Sequence, residues 1–488
     1  MRINWLVLGI VAVYLLGIYA LACYSRTKMD GNADFLNEYF IGNRSMGGFV
    51  LAMTIVATYT SASSFIGGPG VAYKTGLGWV LLAIIQVPAA WLTLGVLGKK
   101  FAIVARRIDA ITVNDFLLAR YGSKAVAVLS SVSLFAFLAS AMTAQFIGGA
   151  RLFETITGLP YLWSLALFTG TVVLYTTIGG FRAVALTDSL QGIVMVIGTA
   201  AMIFGIARAS GGMANATAKI MAQNPALLSP FGPDNYVAKP LILSFWVLVC
   251  FGTVGLPHTA VRCMGYRDSK SMHSAIVVGT FVLTFIMLGM HLCGALGSAI
   301  LPDLDVADSI MPRLAVTVLP PVVAGVFLAG PLAGVMSTID SQLIQISSAI
   351  VKDLYINYVN PAAAKDFDKV KKLSLCTTAV LGVIVFVAAL RPPRLIVWLN
   401  IFAFGGMEAA FLWPFVLGLY WRRANAAGAI ASVVCGVGTY FAIGMTIKTF
   451  FGWNAIIPSL FAGLAAFAVV SLLTPAPKPE VIETFFDA

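Results

Sequence analysis

Charge is what this sequence has least of. Asp, Glu, Lys and Arg make up 10% of its 488 residues, where soluble globular chains carry about 25%. With 59% hydrophobic residues, that shortfall argues against a water-soluble enzyme and for a bundle of membrane spans. Histidine is scarce as well: His258, His273 and His291 are the only three, and they form no ligand pattern. The six cysteines (Cys23, Cys250, Cys263, Cys293, Cys376 and Cys435) lie scattered in or beside apolar runs. No C-x-x-C or metal spacing links them, so they read as structural thiols. No G-x-x-x-x-G-K-[ST] loop is present, which argues against ATP-driven transport. No hydrophilic stretch is long enough for a kinase, sensor or catalytic module, and no obligate protein partner is evident. The net charge of +11 does not point to nucleic acid, because the basic residues cluster beside apolar spans in the manner of cytoplasmic loops.

What is there is a succession of apolar runs of about 20 residues, the length that crosses a bilayer. Thirteen spans are expected, at 5–23, 47–73, 78–96, 125–148, 161–178, 188–207, 241–262, 275–300, 319–356, 375–390, 395–421, 427–447 and 455–473. The first resembles a signal peptide at Ala20-Leu21-Ala22. Its apolar run is too long for one, and Arg26 and Lys28 follow it where a leader's charges precede, so it reads as a retained span. Lysines and arginines crowd the alternate loops around Lys99–Lys124, Arg262–Lys270 and Lys352–Lys372. The richer side is cytoplasmic, which places the amino terminus in the periplasm and the carboxyl terminus in the cytoplasm. Residues 210–239 read as an external loop with a short surface helix before Pro225. The ninth run is long enough to project beyond the bilayer.

The stretch 52–70, AMTIVATYTSASSFIGGPG, stands out. It is apolar enough for lipid yet carries Thr54, Thr58, Thr60, Ser61, Ser63 and Ser64, and it ends in Gly67-Gly68-Pro69-Gly70. Pro69 lacks a backbone donor and glycine tolerates irregular backbone, so the helix is expected to break at these glycines. A broken helix at membrane depth is tolerated where it lines a cavity, and in transporters such breaks meet ions and substrates. The stretch is read as holding a sodium ion and part of a solute site. Five spans later the run WVLVCFGTVGLPH is again interrupted, by Gly252, Gly255 and Pro257. Matching breaks five spans apart suggest two inverted repeats, spans two to six and seven to eleven.

In the ninth span Gly334, Ser337, Thr338 and Ser341 share one helical face. Such a stripe allows close helix packing or supplies the oxygens that a hard cation needs; the coincidence with the broken second span favours the ion. Three acids sit within or against the membrane: Asp188, Asp340 and Glu408. Each is costly in lipid and therefore a functional candidate. Asp188 reads as a helix-start acid or part of an ion path, Asp340 as a holder of a second cation or a proton, and Glu408 equally as a structural partner. Gln86, Gln145 and Asn400 either contact solute or knit helices together.

These segments resemble the sodium/solute symporter family: SASSFIGGPG, GLGWVLLAIIQVP, AMTAQFIGGARL, GGFRA, SFWVLVCFGTVGLPHTAVRC, VMSTI and FAFGGMEAAFLWPFVLGLYW. The longer strings, with FLNEYFIGNRSMGG, are most similar to its pantothenate-carrying branch. The resemblance implies an all-α polytopic membrane protein of about 13 transmembrane helices with a LeuT-like core of two inverted five-helix repeats. The whole of 1–488 would be one transporter domain, with repeats at about 45–210 and 240–424 and extra helices at 1–25 and 425–475. It implies symport of sodium and pantothenate across the bacterial inner membrane, with another small carboxylate, an amino acid or monocarboxylate, as the alternative solute. Sodium would meet the Ala57, Thr60 and Gly334 carbonyls and the Ser337 and Thr338 hydroxyls. Solute positions map to Ser61, Ser64, Gln86 and Thr253. Asp340 departs from the family pattern, which has a neutral polar residue there.

Overall fold

The structure, a computed structural model, describes residues 5–27, 44, 46–393, 395–447 and 449–486. Most of the FLNEYFIGNRSMGG string and the side chains of Gly179–Ala183 lie outside the described residues.

The chain is a helical bundle. In order come α1 (Trp5–Thr27), α2 (Gly48–Tyr59), a widened π-helical turn at Ser63–Gly67, and α3 (Gly68–Thr75). The run Leu77–Arg107 is α4, followed by α5 (Val113–Tyr121), α6 (Lys124–Thr157) and α7 (Tyr161–Ser210). A short helix, α8 (Met213–Gln223), sits in the loop where one was expected. Then follow α9 (Lys239–Gly255), α10 (Pro257–Met264), α11 (Ser269–Gly297) and α12 (Ile310–Val318). The last group is α13 (Pro321–Val359), α14 (Phe367–Ala389), α15 (Ile396–Tyr420), α16 (Ala426–Thr446), α17 (Ile456–Leu473) and α18 (Pro479–Phe486). A two-stranded hairpin, Thr449–Phe450 with Trp453–Asn454, joins α16 to α17.

Among the described residues nine helices are long and apolar enough to cross a membrane, or up to eleven if each bent pair is one span. Trp5–Leu21 and Tyr161–Leu174 are apolar but shorter. The fifth and sixth expected spans lie in one helical run, α7, of 50 residues. As a straight rod it would measure about 75 Å, and its apolar stretches are two, Tyr161–Leu174 and Thr187–Ser210.

Burial ranks the helices. In α13, 83% of the most apolar window is inside the protein, against 33% for α14, α16 and α17. The centre is therefore α13 with the bent helix α2–α3 laid across it, α15 is nearly as buried at 78%, and α14, α16 and α17 form the rim. At 39 residues α13 spans roughly 58 Å, beyond a bilayer's core as its sequence suggested. At the carboxyl end α18 docks Phe485 edge-on against Phe116, with ring centroids 5.6 Å apart.

Two bends organise the centre. The second span turns by 65° between Tyr59 and Ser63, and the seventh by 43° between Gly255 and Pro257. The first bend corrects the sequence reading. Thr60 is the extended residue (φ −72°, ψ 132°), while Gly67 and Gly68 are helical (φ −68° and −63°). The glycines serve close packing instead. A Cβ on Gly67 would lie 3.1 Å from the Val397 nitrogen, and one on Gly70 would lie 2.7 Å from Asp308 Oδ1. The second bend falls where the sequence placed it, at extended Leu256 (φ −83°, ψ 113°) just before Pro257.

Candidate functional site

The break in the second span frees carbonyls. In an unbroken helix the amides of Ser61, Ala62, Ser63 and Ser64 would bond the carbonyls of Ala57, Thr58, Tyr59 and Thr60. Here they go elsewhere. Ser61 N–H donates to Ser64 Oγ (3.2 Å), Ala62 N–H to Gln145 Oε1 (2.7 Å), Ser63 N–H to Ser61 Oγ (3.2 Å) and Ser64 N–H to the Ser61 carbonyl (2.9 Å). The freed carbonyls turn to α13. Ser337 Oγ lies 2.7 Å from the Ala57 carbonyl and 3.1 Å from that of Gly334. Thr338 Oγ1 lies 2.9 Å from the Thr60 carbonyl and 2.8 Å from that of Gly334.

Five oxygens thus converge, three carbonyl and two hydroxyl, all on fully buried residues. They sit at the carboxyl end of α2, where the helix dipole is negative. The set contains no carboxylate, thiolate or imidazole. That chemistry suits a hard cation of low charge, which takes several oxygen ligands.

One turn further along α13 lies a charged cluster. Asp188 on α7 and Arg262 on α10 form a buried ion pair, Nη2 to Oδ2 at 3.0 Å, with 2% and 0% exposure for Arg262 and Asp188. Thr54 Oγ1 donates to the same carboxylate oxygen at 2.5 Å, and Arg262 Nη2 also reaches Ser341 Oγ at 2.5 Å. Arg262 Nε reaches Thr54 Oγ1 at 3.0 Å. Asp340, on the adjoining position, accepts from Thr176 Oγ1. Arg262 is the residue that sequence reasoning missed: it was counted among cytoplasmic loop charges, yet it is buried. The legible signal was its place five residues after Pro257 at the end of a mostly apolar run. Below it a small cavity is lined by His258, Arg262, Ser341, Gln345, Ser348 and Asp353. Asp353 is held by Thr112 Oγ1 (2.9 Å) and Asn114 Nδ2 (2.8 Å).

On the other side of the break is a small cavity of about 50 Å³, well under the roughly 300–1,000 Å³ of open small-molecule sites, so a solute entering here must widen it. Ser61, Ser64 and Gln86 line it, together with Ser63, Asn400 and His291. Tyr59, Trp79, Phe245 and Phe404 give it an apolar wall. Gln86 Oε1 lies 3.4 Å from Tyr59 Oη, which donates to the Val249 carbonyl at 2.8 Å. Ser63 Oγ has no hydrogen-bond partner among the described residues. Thr253 is not brought to this wall: it is fully buried, donates to the Cys250 carbonyl at 2.6 Å and faces Thr93. Gln145 knits helices, accepting from Ala62 N–H and donating to Asn400 Oδ1 at 3.3 Å. Glu408 lies behind the seventh-span bend, where a Cβ on Gly252 would meet its Oε2 at 2.2 Å.

A family model for sodium:solute symporters matches residues 39–436. The chain belongs to the sodium:solute symporter family. It is a multi-pass membrane transporter, not an enzyme, and sodium is its co-transported ion. Among curated relatives it is 52% identical to the sodium/pantothenate symporter of Escherichia coli (strain K12) over 98% of this chain and 99% of that one. It is 53% identical to that of Haemophilus influenzae over 95% and 96%. It is 31% identical to the osmoregulated proline transporter OpuE of Bacillus subtilis over 97% and 96%. A sodium-coupled sialic acid symporter solved in a substrate-bound outward-open state superposes with a TM-score of 0.76, covering 97% of this symporter and 99% of that chain at 18% identity. A nucleobase-cation-symport-1 family transporter aligns at a TM-score of 0.54. These likenesses establish the LeuT-type fold.

Proposed function

We propose that this symporter couples inward sodium movement to the uptake of pantothenate across a bacterial inner membrane. The observation that carries the reading is identity of 52% to 53% to sodium/pantothenate symporters along nearly the whole chain. The pocket's chemistry supports it. Pantothenate offers a carboxylate, an amide, two hydroxyls and a dimethyl-bearing carbon, and the pocket offers hydroxyl and amide groups opposite an aromatic wall. Ser61, Ser64 and Gln86 are the proposed solute contacts, with Ser63 and Asn400 beside them. Thr253 is proposed to act through the seventh-span bend.

Sodium is proposed to sit among the Ala57, Thr60 and Gly334 carbonyls and the Ser337 and Thr338 hydroxyls. There it ties α13 to the bend whose far side is the solute pocket, so filling one site favours the other. A tenfold sodium gradient supplies about 1.4 kcal/mol per ion. Loss of sodium toward the cytoplasm would run past Ser341, Asp340 and the Arg262–Asp188 pair into the cavity bounded by Asp353. Residues 45–210 and 240–424 are proposed as inverted repeats, supported by the paired bends of 65° and 43°. The Lys and Arg bias supports a periplasmic amino terminus and a cytoplasmic carboxyl terminus.

The deciding experiment is uptake of radiolabelled pantothenate by vesicles holding the purified symporter, with and without an inward sodium gradient. Uptake that ignores sodium would overturn the coupling. The likeness to a proline transporter keeps a second reading, another small carboxylate. Unlabelled proline or a monocarboxylate that outcompetes pantothenate would establish it instead.

A further inference from the structure

One pocket residue is used by neither the sodium nor the solute assignment above. His291 on α11 is buried at 3% exposure, yet it lines the pocket beside Ser64 and Gly68. Its Nδ1 lies 2.7 Å from the Met287 carbonyl one turn back. A carbonyl only accepts, so Nδ1 carries the proton, and the neutral ring presents Nε2 as a bare lone pair. The ring is pressed edge-on to Gly68: a Cβ there would stand 2.2 Å from Nε2. Gly68 is thus free of a side chain where the imidazole edge reaches the pocket wall. Among the described residues no protein donor is bonded to Nε2.

We propose that His291 Nε2 is a solute-binding acceptor that takes a hydrogen bond from an O–H or N–H group of the transported molecule, and that Gly68 is glycine to leave it room. The inference rests on the pantothenate reading, whose three uncharged donors are two hydroxyls and one amide N–H. A neutral acceptor beside Ser61, Ser64 and Gln86 sorts the solute by the end opposite its carboxylate. A carboxylate meets a lone pair unfavourably, so the acceptor also fixes which way round the anion enters. A buried acceptor left without its donor also rejects analogues that lack the group.

The test is a cycle of variants against analogues in vesicles holding the full-length symporter. The solutes are pantothenate and three analogues, each lacking one donor: either hydroxyl removed, or the amide nitrogen methylated. In the wild type each omission should weaken uptake. In His291→Phe, half-saturation by pantothenate should rise about tenfold, and one of the three omissions should cease to matter. His291→Gln, which restores an acceptor, should recover part of the loss, and half-saturation by sodium, read at saturating pantothenate, should stay at the wild-type value in both. Gly68→Ala keeps the imidazole but displaces it, and should lose the same dependence even if His291→Phe aggregates. Wild-type transport with all three penalties intact in both His291→Phe and Gly68→Ala overturns the inference alone. A wild type that moves no pantothenate overturns the solute reading, and the inference falls with it.

Discussion

Arg262 and Asp188, both buried, meet at 3.0 Å, and both also hold Thr54 of the bent second span. Through Ser341 the same guanidinium holds α13. One ion pair therefore joins α7, α10, α13 and the segment just before the 65° bend. Removing one partner of a buried pair strands the other, at a cost of about 3–5 kcal/mol. Arg262→Met should lower the thermal midpoint of the detergent-solubilised protein by several degrees. Adding Asp188→Leu to it should recover part of that loss, as thermal unfolding curves of the two variants would register. Equal midpoints for wild type and Arg262→Met would show that the pair contributes nothing to cohesion.

Ser337→Ala and Thr338→Ala each delete one oxygen of the five-oxygen set while leaving the helix ladder intact. Each should raise the sodium concentration for half-maximal uptake about tenfold or more. At saturating sodium the half-saturation for pantothenate should move much less. Sodium titrations of initial uptake rates read both quantities, and unchanged sodium dependence in both variants would refute the assignment.

Charge counting gives a third expectation. One sodium with one pantothenate anion moves no net charge, so voltage would not drive uptake. A second cation held near Asp340 makes the cycle electrogenic, worth about 2.3 kcal/mol per 100 mV. Imposed inside-negative potentials should then increase wild-type accumulation and leave Asp340→Asn unaffected. Voltage-insensitive uptake in both proteins refutes the second cation.

Asp308 lies in the connection between α11 and α13, outside the spans. Burial pushes its carboxyl up to about 7, partly opposed by the Ile396 N–H at 3.1 Å and by Arg151 and Lys74. The native state therefore holds a proton that the unfolded chain, with a pKa near 3.9, releases earlier. The stability this group contributes is present below about pH 4 and is lost as pH rises through about 7. Asp308→Asn, which keeps an acceptor for Ile396, should gain over wild type by a few degrees more at pH 8 than at pH 5. Parallel midpoints across that range would contradict the shift.

The breaks and the oxygen stripe were legible because they depend on local composition: hydroxyls and glycines in an apolar run, and Gly334, Ser337 and Thr338 at helical spacing. The residue that bends the second span was not. Glycine and proline look like breakers in sequence, but Gly67, Gly68 and Gly70 are helical and small because Val397, His291 and Asp308 press against them. The real break at Thr60 arises because Gln145 and two serines capture the amides, and the Gln145 contact is 83 residues away in the chain. Arg262 was hidden for a similar reason. A cation near a span end reads as a loop charge until its partner, 74 positions earlier, is seen beside it. Thr253 sat in the right bend but faces away from the solute pocket toward Thr93.

The Ser337 and Thr338 hydroxyls direct their protons at the carbonyls that sodium would share with them. A hydroxyl oxygen keeps lone pairs for a cation while it donates, so at the proposed site an arriving ion would compete with these protons for the shared carbonyls. Two such hydrogen bonds at about 1 kcal/mol each would weaken the proposed site's hold on the ion by roughly thirtyfold. A carrier must let go on the far side as readily as it captures on the near side. At the proposed site the hydroxyl protons would thus act as competitors of the ion, and that competition would keep it from being trapped in transit.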